Sequence, residues 1–373
     1  MTGRARDHHS QGIALDRSRT NCKGPARGAA TWTEPRRERA PRSSPARSKS
    51  EGHQRTMYVD VQSFALGAAA VGAVAVVRAV RRNFLWSWHD PAPCVPELGD
   101  GGVVGADEDP GVVTVYGGGR LGEAHFSVSW AVSRVCCFLE LAGLEKRCVE
   151  ALPDKGPKHK MPWIEHRGRT VTDSGFIIRY LRKVLPHHRG VQALFECEAR
   201  DPRRWACAAA AARLCNESLY FFELHQRWVR PGPGAWDVTK SLFAGVPGPI
   251  RPLISTMVRN DLKESMYRVG TARFSQTDIA AEVEEIIATL EGLLGGEEFF
   301  GGDTPCAHDC MTYSALEQYF HAPWYSPQTT PAVLRSKRLA AYVARVRALV
   351  PPEKCAARFA RMHVPEAAKY RGA

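Results

Sequence analysis

No two cysteines of this 373-residue chain are spaced as CxxC, no signal peptide opens it, and no internal repeat is evident. The first absence removes the usual dithiol motif, and the third removes solenoid and propeller architectures. Without a secretory leader, the eleven cysteines read as reduced thiols in a cytosol-like compartment rather than a disulfide scaffold. Acidic residues are also in the minority, and the net charge of +12 raises the question of nucleic acid. Its distribution answers that question. Residues 1–56 hold 13 Lys/Arg against 5 Asp/Glu, so +8 of the +12 lies in a leader and the long remainder is nearly balanced. No nucleic-acid partner is expected.

What is present is the composition of a folded protein, with 44% hydrophobic and 24% charged residues, enough for two or three domains. The leader, 1–56, is rich in Arg, Ser, Pro and Gly and predicts disorder. An organelle presequence would share its Arg and Ser but not its five acidic residues. Met57 is an alternative start, because the character of the chain changes there.

Segment 57–88 comes next, with the 17-residue uncharged run Val61 to Val77. At about 1.5 Å per residue it falls slightly short of a bilayer core. Arg78 can snorkel and extend the span to residues 61–80, and Trp86 and Trp88 suit an aromatic belt. This predicts a membrane-anchor helix, with a buried or interfacial helix as the alternative. Counted from Met57, Arg78, Arg81 and Arg82 place the folded part on the cytosolic side, of an organelle membrane or another.

Residues 89–111 carry Pro, Gly and acidic residues without periodicity and read as a linker. GVVTVY then reads as a strand, Ser129 to Leu144 as a helix and Cys148 to Leu152 as a strand. MPWIEHRGRTVTDS reads as strand, Arg-Gly turn, strand, and Gly175 to Leu185 as a helix. The order βαβ, then ββα, predicts an α/β thioredoxin-like domain over 112–186. An all-helical domain is predicted over 187–350 and a tail over 351–373. In the helical part, Leu214, Phe221, Leu224 and Trp228 are expected on one face of a helix from Arg203 to Trp228, and Ser275 with Asp278 forms a capping box.

Two pairs could carry chemistry. Met161-Pro162 stands just before a strand, where a cis bond would leave the backbone edge of Met161 open to an extended peptide ligand. Asp173-Ser174 stands where a strand passes into a helix, so it is either a plain N-cap or an anion site at a positive helix end. The two pairs, separated by one hairpin, fall within fourteen residues.

In KMPWIEHRGRTVTDSGFIIRYL the chain resembles the glutathione-site half of glutathione S-transferase domains, and most closely the failed axon connections and metaxin-like branch of that superfamily. NESLYFFELHQRW, the stretch ending GTARFS, and FFGGDTPCAHD resemble the same branch in order and spacing, so the likeness covers roughly 112–350. It implies a thioredoxin-like domain followed by a glutathione transferase C-terminal domain, with glutathione as ligand or co-substrate. The backbone of Met161 beside Pro162 would pair with the cysteinyl part, and Asp173 and Ser174 would hold the γ-glutamyl end.

The implied catalytic position is Ser129, at the start of the first helix, with Ser127 and Tyr116 as competing hydroxyls. Trp130 stands where the family has proline, and the following Cys is absent. A membrane-tethered interaction module that keeps a glutathione-type site, with a protein partner or second copy, is therefore expected ahead of an active transferase or peroxidase.

Three further motifs point elsewhere. Gly117, Gly119 and Gly122 spell GxGxxG after a strand, with Glu140 or Glu145 downstream, which would suit a dinucleotide. The GGGRLGEAHFS stretch reads instead as an extended loop. Cys306, His308, Asp309 and Cys310 lie too close together to close a tetrahedral metal shell, so no metal is expected. They read as a capping box, with Cys306 as N-cap and Asp309 reaching back. Cys136 and Cys137 fall within the first helix and read as core. Fractionation tests the anchor: the full chain is expected with membranes and a chain lacking residues 57–82 in the soluble fraction, and a wholly soluble full-length chain would refute it.

Overall fold

The structure, a computed structural model, describes residues 93–97, 102–230, 243, 248–249, 251–322, 325–355 and 357–362. The expected leader and membrane anchor lie outside these. Among the described residues no helix is long and apolar enough to cross a membrane.

Strand β1 (Val113–Gly117) is central because its residues are buried at nearly every position, as a strand flanked on both sides requires. It pairs in parallel with β3 (Lys146–Glu150) and antiparallel with β4 (Trp163–His166), which pairs antiparallel with β5 (Arg169–Thr172). The sheet order is β3-β1-β4-β5. Helix α1 (Trp130–Ala142) makes the crossover between β1 and β3, and α2 (Ser174–Val184) follows β5. This is the expected thioredoxin-like order. Strand β3 begins two residues earlier than expected, since Lys146 and Arg147 pair with Val113 and Thr114 of β1, and the Lys146 side chain is buried and ion-paired with Glu140.

Helix α1 starts on Ser129, whose Oγ accepts from the Val132 amide, and ends on Gly143 at φ 69°, a left-handed conformation that glycine adopts without penalty. Leu144 closes the end by donating to the Leu139 carbonyl. Val132, Val135, Cys136, Cys137, Phe138 and Leu139 are all buried, so α1 is enclosed by the sheet and α2 on one side and by the helical region on the other.

The helical region contains α3 (Arg189–Ala193), α4 (Glu196–Arg200), α5 (Pro202–Leu214), α6 (Tyr220–Leu224), α7 (Arg251–Val269), α8 (Gln276–Leu294), α9 (Asp309–His321), α10 (Thr330–Arg335) and α11 (Lys337–Leu349). The capping box of Ser275 and Asp278 is present. The expected face of Leu214, Phe221, Leu224 and Trp228 is not: all four are only half-buried, whereas Cys215, Leu219 and Phe222 are buried. Cys215–Leu219 and His225–Val229 are π-helical turns, and the extra residue in each rotates the next turn of helix away from a 3.6-residue register.

Helix α9 packs along α1, and its first residue anchors the loop before it. Asp309 is fully buried, and its carboxylate accepts from the amides of Phe300, Gly301 and Cys306 at 2.9, 3.0 and 2.9 Å. Asp309 thus reaches back as expected, but the helix begins one residue after His308, which displaces Cys306 as cap.

The tail also returns to the α/β domain. Strand β6 (Arg361–Met362) pairs in parallel with β2 (Arg120–Leu121), and Phe359 is buried in the main core. This explains the glycines that precede α1. A Cβ on Gly117 would lie 2.6 Å from Val132 and 3.1 Å from Phe359, and one on Gly119 would lie 2.7 Å from Met362. They admit close packing of the chain's own side chains. The helix of a dinucleotide fold would begin at once, whereas α1 begins at Trp130.

His125 lies at the centre of this junction, stacked on Phe126, with Nδ1 2.7 Å from the Tyr313 hydroxyl. Burial pushes it down to about 2, and pushes His308 down to about 4. Each is a base depressed on folding, so its contribution is complete above the unfolded pKa of about 6.5 and is lost as pH falls towards the folded value. Glu317, raised by burial to about 7, acts oppositely between about 4.5 and 7. Between pH 6 and 5 the wild-type unfolding free energy is expected to lose about 1.2 kcal/mol more than that of His125→Gln. Parallel pH slopes in urea titrations of the two proteins would refute this.

Candidate functional site

The Met161-Pro162 peptide is cis, and the amide and carbonyl of Met161 enter no hydrogen bond among the described residues. The hairpin pairs Trp163 with Thr172, the residues just after Pro162 and just before Asp173. The four residues expected from the sequence therefore share one end of the sheet. Gly118 joins them to the start of α1: a Cβ there would lie 3.6 Å from the Met161 side chain and 3.4 Å from Val128.

Asp173 sits at φ 67°, a left-handed conformation unusual for a residue with a side chain. From there its Oδ1 accepts from the Gly175 and Phe176 amides at 2.9 and 3.3 Å, capping α2. Both bonds use one oxygen. Oδ2 stays open at an exposed position, while Ser174, nearly buried, is the first residue of the helix.

Two cations flank this helix end. A Cβ on Gly175 would lie 3.5 Å from Arg134 Nη1 and 3.9 Å from Arg179 Nη2. The Arg134 Nε is buried without a hydrogen-bond partner among the described residues, and burial lowers the pKa of its guanidinium against the attraction of Asp173. The sequence patterns do not single out Arg134, although a signal is there: it is the only charged residue between Ser129 and Leu139, on an otherwise apolar helix. The buried Thr172 Oγ1, beside Asp173, and Trp130 Nε1 likewise lack partners among the described residues.

The three candidate hydroxyls differ in what they already hold. Tyr116 donates to Glu165 Oε2 at 2.7 Å, and that bond, with burial, raises its pKa. Ser127 is fully buried, donates to the Gly118 carbonyl at 2.7 Å and accepts from the Ser129 amide. Ser129 is half-exposed and only accepts, from Val132 at 3.4 Å, so its proton is not committed to a protein acceptor among the described residues. Trp130 turns away, its ring edge-on to Tyr220 at 5.7 Å and tilted against Tyr319 at 6.1 Å. It fills the interface with the helical region.

Cys136 and Cys137 are buried as expected, and burial raises both thiols. None of the ten described cysteines is in a disulfide. Among the described residues no group of three or more His, Cys, Asp or Glu could hold a metal ion.

A sheet of this order, with α1 enclosed and an all-helical region following, is a glutathione S-transferase-like fold. Sequence comparison agrees: the family described as Glutathione S-transferase N-terminal domain matches residues 131–232, a range that contains Met161, Pro162, Asp173 and Ser174 and begins just past Ser129. Similar solved structures include a glutathione S-transferase of Ceriporiopsis subvermispora in complex with glutathione, at 17% identity over 68% of this chain and 99% of that one, with a TM-score of 0.42. Another is the rice GST1 in complex with glutathione, at 19% identity over 70% and 94%, with a TM-score of 0.40. The theta class enzyme of Xanthomonas axonopodis pv. citri with glutathione bound is similar at 15% identity over 65% and 95%, with a TM-score of 0.39.

A half-buried guanidinium with an unsatisfied nitrogen lowers stability, so replacing it with an apolar chain of similar length relieves the fold. In the absence of ligand, Arg134→Met is expected to raise the unfolding free energy by about 1–2 kcal/mol. A lower value in chemical denaturation would assign Arg134 a structural role instead.

Proposed function

We propose that this protein binds glutathione through Met161, Pro162, Asp173 and Ser174. The observation that carries this reading is the sign pattern at the start of α2. An open carboxylate oxygen of Asp173 lies beside helix amides and the Arg134 and Arg179 guanidinium groups. A carboxylate and a cluster of positive donors side by side complement an ammonium and a carboxylate on one carbon. Glutathione presents that group at its γ-glutamyl end, and its peptide part suits the unpaired backbone edge of Met161 next to the cis bond.

In this reading Ser174 holds the α-carboxylate, with Arg134 adding charge, and Asp173 holds the α-ammonium. The thiol then extends towards Ser129, whose hydroxyl at the N-terminus of α1 can donate to a thiolate and, with the helix dipole, favour the ionised form.

The biological role we favour is a membrane-tethered interaction module that keeps this site, anchored through residues 61–80 with its folded part facing the cytosol and engaging a protein partner or a second copy. The departure from the family pattern at Trp130, which packs away from the site, favours it. The free hydroxyl of Ser129 favours the alternative, a glutathione-dependent transferase or peroxidase. The failed axon connections and metaxin-like branch is the part of the superfamily the sequence resembles most.

One titration separates these. The full chain is expected to bind glutathione saturably, and Asp173→Ala is expected to weaken binding at least tenfold, on the order of the 1.4 kcal/mol lost with a charge-assisted hydrogen bond. No saturable binding removes the proposal. In a conjugation assay, turnover lost in Ser129→Ala identifies an enzyme, whereas binding without turnover identifies the module.

A further inference from the structure

Away from the α2 end, the helical region holds a cleft of about 330 Å³ between the first π-helical turn, the loop after α7, and α8. Its floor and lip are aromatic: Phe221, Phe222 and Phe274 line it, with the rings of Phe222 and Phe274 6.0 Å apart and tilted by 59°. Phe274 is 42% exposed and Val269, which also lines the cleft, is 58% exposed, so the lip offers adjoining apolar surface.

Three carboxylates, Glu217, Glu282 and Glu285, complete the lining, and no lysine or arginine contributes to it. The chain beyond residue 56 is nearly balanced in charge, so this is a local excess of negative charge. Glu217 already pairs with Arg213 at 3.1 Å. On α8, the neighbouring Glu284 pairs with Arg335 and Glu291 bonds Ser336, whereas Glu282 and Glu285 are in no ion pair among the described residues and stand three residues apart, on one helix face. Like charges in that spacing repel, so a cation between them gains what the empty cleft lacks. The π-helical turn Cys215–Leu219 brings Glu217 to the cleft beside Phe221.

The carboxylates line the cleft without converging, since no group of acidic, His or Cys residues among the described residues is tight enough for a metal ion. A hard divalent ion requires six or more oxygens close around it, which this lining does not offer. Aromatic faces with dispersed carboxylates instead fit a weakly hydrated cation on an apolar body.

We infer that this cleft is a binding site for a small organic cation, a tertiary or quaternary ammonium with an apolar substituent. The charge lies over the Phe222 and Phe274 rings between the α8 carboxylates, and the apolar part covers the exposed lip. This site is independent of the glutathione reading, because none of its residues belongs to that site.

The test is calorimetric titration of the full chain with benzyltrimethylammonium chloride, with sodium phenylacetate as an aromatic anion of similar size. Saturable binding of the cation and none of the anion is expected. The double variant Glu282→Gln/Glu285→Gln, at two exposed positions, is expected to weaken the cation at least tenfold, and Phe274→Ala about fivefold, in line with cation–π and charge contributions. Unchanged melting temperatures confirm that both variants fold. Asp173→Ala is expected to leave cation binding unchanged. No saturable binding by the wild type, equal binding of the anion, or equal affinity in the Gln variant would overturn the inference.

Discussion

The described structure is organised around α1, a helix in which most residues are buried and none is fully exposed. Helix α1 contributes Val132, Val135, Cys136, Cys137, Phe138 and Leu139 to one continuous core that reaches from Val113 and Val115 in the sheet to Met311 and Leu316 in α9. Fully burying such side chains contributes roughly 1.5–3 kcal/mol each, so neither layer is expected to hold its packing without the other. Separating the α/β domain from the helical region would expose a complete face of α1. The two are domains by topology and one body by packing.

That enclosure gives Arg134 its meaning. On an otherwise apolar helix the half-buried Arg134 reaches the start of α2, where Asp173 is exposed and Arg179 lies nearby. The helix dipole would ordinarily repel it. A positive group held against a positive helix end makes a region suited to an anion, and the same physics makes it unfavourable when empty. Stability and ligand recognition are opposed at this point, as is common where a site is prepared in advance.

Much of the α/β domain was legible in the sequence because its signals are local. Alternating or continuous apolar runs mark β1 and β4, Ser129 and Gly143 bracket α1, and the separation of Met161-Pro162 from Asp173-Ser174 is set by one hairpin. Long-range effects were less legible. The burial of Lys146 depends on Glu140 and Phe126, and the buried face after Leu214 depends on π-helical turns with no sequence signature. In the candidate site, the cis bond at Met161-Pro162 and the cap at Asp173 could be anticipated, whereas Arg134 left only the trace of a lone charge on an apolar helix, because its contact lies between two helices rather than in either one. The choice among Tyr116, Ser127 and Ser129 likewise needed their partners, since the three hydroxyls are alike until one sees which protons are already given away.

The pairing of β6 with β2 has a consequence for how the protein is made. Arg120 donates to the carbonyl of Phe359, 239 residues further along the chain, and Phe359 lies against Gly117 and Val132 at the root of the loop that leads to Ser129. During synthesis the strands and α1 emerge first, but this contact cannot form until Phe359 has left the ribosome. The loop from Gly117 to Ser129 therefore remains without its cover while the whole helical region is being made. Whatever the α1 end binds, a chain that stops short of Phe359 would carry the Met161 and Asp173 half of the site without the cover of the loop that leads to Ser129.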